Sequence, residues 1–247
     1  MNVEILELIE GAKKAGGIAV VIDVFRAFSL ECYLFGRGAE RIYAVGGMDE
    51  AFALKREHPE YILIGERHGK MVEGCDFGNS PSQTEGADFK GKTVIHSTSA
   101  GTQGIVNASG ADRIVTGSLV NAKAVARYIR SLNPERVCLI AMGNGGVRTA
   151  KEDVLCAQYI RCLLTGQAIT DDEGNEYGPE DIGRLSQELR HDGGAHFFDP
   201  QRQEIYPEKD FFMCTQCNAF DFVIEAGRDE AGRLITFVRR GLPPVVE

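Results

Sequence analysis

The sequence predicts an α/β protein with a mostly parallel or mixed sheet and helices on both faces. This is a three-layer α/β/α arrangement, built from two similar α/β halves and a C-terminal α/β extension. Two observations predict it. Short apolar runs such as Ala19–Ile22 and Thr93–Ile95 alternate with helical stretches, and short segments recur in the same order along the chain. Strands buried on both faces read as continuous apolar runs, and strands that alternate with helices form parallel pairs.

The two halves are predicted from the internal repeat. Three short segments recur about 70 positions later in the same order, Val21–Asp23 as Val94–His96, Gly38–Ile42 as Gly110–Ile114, and Ile62–Gly65 as Cys138–Ala141. In both copies an apolar run precedes a helical stretch. The order strand, helix, strand, helix, strand is therefore predicted twice between about residues 18 and 146. Duplication allows equivalent strand ends of both halves to face one cleft.

These patterns predict three parts of the chain. The first α/β half covers residues 1–92, the second covers 93–170, and the extension 171–247 completes one compact unit. A helix over about 150–165 is predicted from apolar residues at helical spacing. A further helix is expected near 180–191, and mixed helix and strand over 205–238.

Composition and charge exclude several classes of function. The chain has 247 residues, 43% of them hydrophobic, and a net charge of −9 without a cluster of Lys or Arg. This argues against nucleic acid or a membrane as partner, but a few local arginines can still bind a small anion. No apolar run is long enough to span a bilayer, and the N-terminus has no signal-peptide pattern. Together with seven dispersed cysteines, this predicts a cytoplasmic protein.

Charged residues follow two predicted strands of the first half. Asp23 and Arg26 come directly after Ala19–Ile22, and Glu66 and Arg67 come directly after Ile62–Gly65. Ligands bind open α/β sheets beyond the carboxyl ends of the strands. An arginine there can hold an oxyanion through its guanidinium fork. The alternative for each arginine is a surface ion pair. Lys92 and Arg148 also lie near predicted ends of strands or helices.

A hydroxyl-rich turn follows the apolar run Thr93–Ile95 and precedes a predicted helix. Side-chain hydroxyls, backbone N–H groups and the helix dipole at such a turn favour a phosphate. Helix capping by a serine is the alternative. With polar residues from two other loops, the candidate substrate-binding residues are Ser97, Thr98, Ser99, Gly101, Thr102, Asn79, Ser80 and Asn144.

Carboxylates at strand ends and in loops suggest a magnesium site. Mg²⁺ is held by one or two carboxylates together with water and substrate phosphate. The candidates are Asp23, Glu66, Asp76, Glu152 and Asp153. Glu152 has a structural alternative, because Thr149-Ala-Lys-Glu152 fits a helix capping box with Thr149 as N-cap. His68 and His96 are candidate general acids, and His96 fits a buried structural imidazole equally well.

Taken together, these motifs resemble the 2-phosphosulfolactate phosphatase family. The resemblance covers about residues 18 to 165, and the C-terminal third matches more loosely. It rests on six segments in the same order, Val21–Ala27, Gly65–Arg67, Gly74–Pro81, Ser97–Thr102, Gly117–Ala122 and Glu152–Ala157.

The resemblance implies Mg²⁺-dependent hydrolysis of 2-phospho-3-sulfolactate to 3-sulfolactate and phosphate, a step of coenzyme M biosynthesis in some organisms. Catalysis is expected from Asp23, Arg26, Glu66 and Arg67. The metal ligands are expected among Asp23, Asp76, Glu152 and Asp153, with Glu66 as a further candidate. Attack by water and an aspartyl-phosphate formed on Asp23 both remain open.

Other functions also fit these residues. One alternative is a phosphatase for another small phosphorylated hydroxy acid, and another is a non-catalytic protein that binds an anionic metabolite. The expected partner is a small phosphate or sulfonate substrate. Duplication is also compatible with a homo-oligomer, although no interface is evident in the sequence.

Overall fold

The computed structural model describes residues 1–240 of the chain. These residues contain twelve strands and eight α-helices, with short 3₁₀ turns between some of them. The strands are β1 (Asn2–Glu7), β2 (Ile18–Ile22), β3 (Arg41–Ala44), β4 (Ile62–Arg67), β5 (Lys70–Met71), β6 (Thr93–Ser97), β7 (Arg113–Gly117), β8 (Arg136–Ala141), β9 (Ile169–Thr170), β10 (Glu176–Tyr177), β11 (Val223–Arg228) and β12 (Leu234–Arg239). The helices are α1 (Leu8–Ala12), α2 (Ala27–Gly36), α3 (Met48–Glu57), α4 (Gly101–Asn107), α5 (Ala122–Leu132), α6 (Lys151–Thr165), α7 (Ile182–Glu188) and α8 (Glu208–Cys214). None of the described helices is long and apolar enough to cross a membrane.

Ten of the strands form one mixed sheet in the order β1-β8-β2-β7-β11-β12-β3-β6-β4-β5. Strands β1, β8, β2 and β7 are parallel to one another, and so are β3, β6 and β4. The hairpin β11–β12 joins the two groups through antiparallel pairs with β7 and β3. Because three successive pairs are antiparallel, the two parallel groups run in opposite directions.

Both faces of the sheet are covered by helices, as the sequence predicts. Every residue of β2 is buried. Alternate side chains of a strand point to opposite faces. Accordingly, Val20 and Ile22 pack with residues of α5 and α6, while Ala19 and Val21 pack with residues of α1 and α4. In the other group, β6 is covered by α2 on one face and α3 on the other. The three-layer α/β/α class is confirmed.

The order of elements predicted from the repeat is also present. It occurs as β2-α2-β3-α3-β4 and again as β6-α4-β7-α5-β8. In the sheet, however, the two segments are interleaved. β2 pairs with β7 and β8, and β6 pairs with β3 and β4. The first strand of each segment therefore lies between the two later strands of the other segment.

This interleaving makes the helices after β2 and β6 cross. Helix α2 packs against the β6 group and α4 against the β2 group. They meet where Gly101 approaches Asp23. A Cβ atom on Gly101 would lie 2.8 Å from the Ala27 Cβ and 2.9 Å from the Asp23 Oδ2. The glycine is needed for this close approach, which brings the ends of β2 and β6 together.

Candidate active site

A cavity of about 640 Å³ lies at this crossing. Its walls come from the segments that follow β2, β4, β6 and β8, from the start of α6, and from residues 192–206 of the extension. Ten residues singled out from the sequence line it, namely Asp23, Arg26, Glu66, His68, Asn79, Ser99, Asn144, Arg148, Glu152 and Asp153. The cavity therefore lies at the ends of several strands, where the sequence predicts a cleft.

A second cavity of about 680 Å³ lies beside the hairpin β11–β12. Its buried carboxylate, Glu225, is already bound by the side chains of Arg113, Tyr128 and Arg239. The first cavity, in contrast, contains several buried carboxyl groups that have no cationic partner. Buried groups of this kind are typical of functional sites, so the first cavity is the candidate active site.

Asp23 and Asp153 line the cavity, and both are buried. The Asp23 Oδ1 accepts the backbone N–H of Ala27 at 3.1 Å. Asp153 accepts the backbone N–H of Val24 at 2.7 Å with one oxygen and that of Gly143 at 2.8 Å with the other. Asp153 thus ties the end of β2 to the end of β8 and fixes the backbone on which Asp23 stands.

Glu152 lies beside them at the start of α6. The capping box predicted for this helix is absent. The N-cap is Ala150, one residue later than expected, and the Thr149 hydroxyl donates to Glu7 instead, at 2.7 Å. The Glu152 Oε2 is buried and has no hydrogen-bond partner within residues 1–240. The carboxyl group is therefore free to bind a ligand in the cavity.

Burial dominates the acidity of these groups. Loss of solvation raises the pKa of Asp23 to about 6, and the nearby Glu66 adds to the rise. Burial and the neighbouring Asp23 raise the pKa of Glu152 to about 7. The pKa of Asp153 is also raised, by burial and by Asp23 and Glu152, although two N–H donors oppose the shift. The three carboxyl groups repel one another electrostatically, which favours a proton or a cation among them.

The hydroxyl-rich turn is engaged mainly with the protein itself. The hydroxyl of Thr98 accepts the Thr102 N–H, and that of Thr102 accepts the Thr98 N–H. The Ser99 N–H donates to the Glu66 Oε1 at 2.6 Å. Of the five predicted residues of this turn, Ser99 alone lines the cavity. The turn thus positions Glu66 and Gly101, and it does not present the open phosphate cradle that the sequence suggests.

Arg26 lines the cavity but is largely occupied by protein acceptors. Its guanidinium forms a buried ion pair with Asp210 at 2.8 Å. It also donates to the carbonyl oxygens of Ile205 at 2.9 Å and Gly69 at 3.1 Å. Asp210 in turn accepts the N–H of Ser82. Arg26 therefore joins three distant segments around the cavity.

Several predicted residues lie outside the cavity. Arg67 donates to the Ser97 hydroxyl and to the carbonyl oxygens of Glu66 and Ser97. It therefore joins the ends of β4 and β6. The Ser80 hydroxyl accepts the N–H of Gln83.

Asp76 was expected to be a metal ligand, but its carboxylate is bound by Lys55 and by the N–H of Leu63. Its side chain is 42% exposed. Asp76 is a structural residue of the loop after β4.

The extension supplies cavity residues that sequence reasoning missed. His196, Arg202 and Tyr206 of the extension line the cavity, and so does Lys151 at the start of α6. The aromatic residues of 196–211 were the available signal, because His196 and Tyr206 pack together with ring centroids 4.5 Å apart. Burial, Arg202 and Arg26 lower the pKa of His196 to about 4, which leaves its imidazole neutral at neutral pH.

Among residues 1–240, no three side chains of His, Cys, Asp or Glu are arranged as a complete metal site. The donor set nevertheless fits Mg²⁺. This ion needs one or two carboxylates and takes its other ligands from water and phosphate. Asp23 and Glu152 offer two buried carboxyl groups in one cavity, and Glu152 has an oxygen without a partner.

Comparison with known proteins identifies the family of the chain. Residues 3–228 match the family model described as 2-phosphosulpholactate phosphatase. A Bacillus subtilis protein named as a probable 2-phosphosulfolactate phosphatase is 31% identical over 214 residues, covering 86% of this chain and 88% of that protein. A Carboxydothermus hydrogenoformans protein of the same name is 36% identical over 239 residues, covering 95% and 97%. The chain therefore belongs to the 2-phosphosulpholactate phosphatase family.

Proposed function

We propose that the chain hydrolyses the phosphate ester of 2-phospho-3-sulfolactate, with Mg²⁺, to 3-sulfolactate and phosphate. The observation that carries this proposal is the set of buried, mutually repelling carboxyl groups of Asp23, Glu152 and Asp153 in one polar cavity. Such a set suits a cation and a phosphate together better than it suits an anion alone. The names of the relatives supply the substrate.

Mg²⁺ would be held by Asp23 and Glu152. When bound, it would neutralise charge on the phosphate and lower the pKa of a coordinated water. Asp153 would contribute indirectly, because both of its oxygens orient the backbone at Val24 and Gly143.

The remaining residues would position the phosphate. Phosphoryl transfer depends mainly on positioning and on neutralising charge. Asn79 is buried, lines the cavity, and has a side-chain oxygen without a partner among the described residues. It could orient the attacking water or accept from a hydroxyl. Glu66 is oriented by the N–H groups of Ser99 and Gly69.

A panel of small phosphate esters tests the proposal. Phosphate release would be measured from 2-phospho-3-sulfolactate, phosphoglycolate and phospholactate, with Mg²⁺ and with a chelator. We expect the highest kcat/KM for 2-phospho-3-sulfolactate and loss of turnover in the chelator. A higher kcat/KM for another ester would mean that this ester is the preferred substrate. Unchanged turnover in the chelator would show that the reaction does not need Mg²⁺. Thermal stabilisation by these esters without phosphate release would indicate a binding protein.

A further inference from the structure

The cationic side chains at the cavity fall into two groups. Arg26 and Lys151 are engaged, Arg26 with Asp210 and two carbonyl oxygens, and Lys151 with Asp172 at 2.7 Å and Asp192 at 2.5 Å. Arg148 and Arg202 line the same cavity. Within residues 1–240, neither of their guanidinium groups has an ion pair or a hydrogen bond. Their charge is available to a ligand.

Arg202 is also held in place. Its guanidinium lies over the ring of Tyr206, 4.6 Å from the centroid. The same ring lies 5.0 Å from the guanidinium of Arg26, and the Tyr206 hydroxyl donates to the carbonyl oxygen of His68 at 3.3 Å. A cation stacked on an aromatic ring keeps its N–H donors free for an anion. Arg202 is therefore oriented by Tyr206 without being neutralised.

The cavity therefore contains charges of both signs. Arg202 and the buried Arg26 help to keep His196 neutral, because both lower the pKa of its imidazole. Asp23, Glu152 and Asp153 line the same cavity. A ligand that carries a metal-bound phosphate and a second anionic group matches this combination of carboxyl groups and free guanidinium groups.

We propose that Arg202, together with Arg148, binds the second anionic group of the substrate, the sulfonate or the carboxylate, and so selects esters that carry one. This inference rests on the proposed function, because it takes the scissile phosphate to lie beside the carboxyl groups of Asp23 and Glu152. The two arginines are specificity-determining residues and take no part in breaking the phosphate ester.

Two substrates separate this role from a general one. Glycerol 2-phosphate has the same secondary phosphate ester as 2-phospho-3-sulfolactate but carries no second anionic group. We expect Arg202→Gln and Arg148→Gln to lower kcat/KM for 2-phospho-3-sulfolactate by about 10- to 100-fold, mainly through KM, because each removes charge-assisted hydrogen bonds. With glycerol 2-phosphate, kcat/KM should change by less than about threefold. Phospholactate, which keeps only the carboxylate, shows which anionic group each arginine binds.

Arg190→Gln is the matched control. Arg190 belongs to the same extension, is exposed, and lies over the ring of Phe198 at 4.8 Å, but it does not line the cavity. It should leave the ratio of the two kcat/KM values unchanged. Melting temperatures of all variants check that they fold.

Three results would overturn or redirect the inference. If both cavity variants keep the wild-type preference between the two substrates, the arginines do not determine specificity. If they lose equal activity on both substrates, they act on the phosphate itself. If the wild-type protein releases no phosphate from 2-phospho-3-sulfolactate while it hydrolyses another ester, the proposed substrate is wrong, and this result does not depend on the variants.

Discussion

At the scale of single residues, the buried Asp23 shows a conflict between function and stability. Its folded-state pKa of about 6 lies above the value of about 3.9 for an unfolded aspartate. Between these values the folded protein binds more protons than the unfolded chain. The free energy of unfolding therefore falls as pH rises from about 4 to 6, and the contribution from protonated Asp23 is lost above that range.

Replacing Asp23 should remove this dependence. Without metal, we expect Asp23→Asn to be more stable than the wild type at pH 7.5, by up to about 3 kcal/mol for a shift of about two pKa units. At pH 4 the two proteins should differ much less. Denaturant unfolding in a chelator at both pH values measures this. Asp76→Asn is the control, since that side chain is 42% exposed. An identical pH dependence in wild type and Asp23→Asn would show that the Asp23 pKa is not raised.

At the scale of elements, the extension is attached to the rest of the site through Arg26 and Asp210. Both side chains are buried, and they lie 184 positions apart in the sequence. Removing one partner of a buried ion pair leaves an uncompensated charge, which typically costs about 3–5 kcal/mol. We therefore interpret Arg26 primarily as a positioning residue for the wall formed by residues 192–206.

This role predicts a joint loss of stability and activity. Asp210→Asn should lower the free energy of unfolding by about 3 kcal/mol and reduce phosphate release, although Asp210 does not line the cavity. Glu208→Gln, in the exposed first turn of the same helix, should change neither quantity. Denaturant unfolding and steady-state kinetics measure both effects. Normal stability and activity in Asp210→Asn would mean that the pair does not hold this wall.

The start of α6 gives a second prediction at this scale. Thr149 lies before the N-cap Ala150 and donates to Glu7 at the surface. Thr149→Ala should therefore change the free energy of unfolding by less than about 0.5 kcal/mol, as is usual for surface substitutions. An N-cap threonine would cost about 1 kcal/mol or more. A loss of that size in denaturant unfolding would support the capping box that the sequence suggests.

At the scale of the whole molecule, the interleaved sheet couples the two predicted halves. Strand β2 has both of its partners in the segment 93–170, and β6 has both of its partners in the segment 1–92. The segment 1–92 therefore lacks the partners of its strand β2, and the segment 93–170 lacks the partners of its strand β6. The hairpin β11–β12 then connects the two parallel groups at the centre of the sheet.

We therefore expect a single cooperative unfolding transition. In differential scanning calorimetry, the calorimetric and van't Hoff enthalpies should agree, as they do for two-state unfolding. The substitution Asp210→Asn should shift this transition without dividing it. Two resolved transitions would show instead that the parallel groups unfold independently.

Much of the fold is predictable from local patterns. The apolar run of β2, the repeated element order and the helix of α6 all follow from short stretches of sequence. The pairing of strands was not predictable, because either copy of a repeated strand has the same pattern and the choice depends on contacts between distant segments. The pairing of β2 with β7 and β8, and of β6 with β3 and β4, is such a choice.

The candidate site was predictable to a similar extent. Asp23, Glu66 and Glu152 line the cavity because strand ends and helix starts position them locally. Arg67 ends a strand and Asp76 lies in the loop that follows, but neighbouring carbonyl and N–H groups bind both side chains. Arg202 and His196 have no such local signal. Their position depends on the buried pair Arg26–Asp210, whose partners are far apart in the sequence.

The most direct measurement compares two aspartates that the sequence places among the expected metal ligands. Both Asp23 and Asp76 were expected to bind the metal, and only Asp23 lines the cavity. With saturating Mg²⁺, we expect Asp23→Asn to lower kcat/KM for 2-phospho-3-sulfolactate by at least about 100-fold, since several kcal/mol of charge stabilisation are lost. Asp76→Asn should remain within about twofold of the wild type. Near-normal turnover in Asp23→Asn, or a large loss in Asp76→Asn, would contradict the assignment of the active site to this cavity.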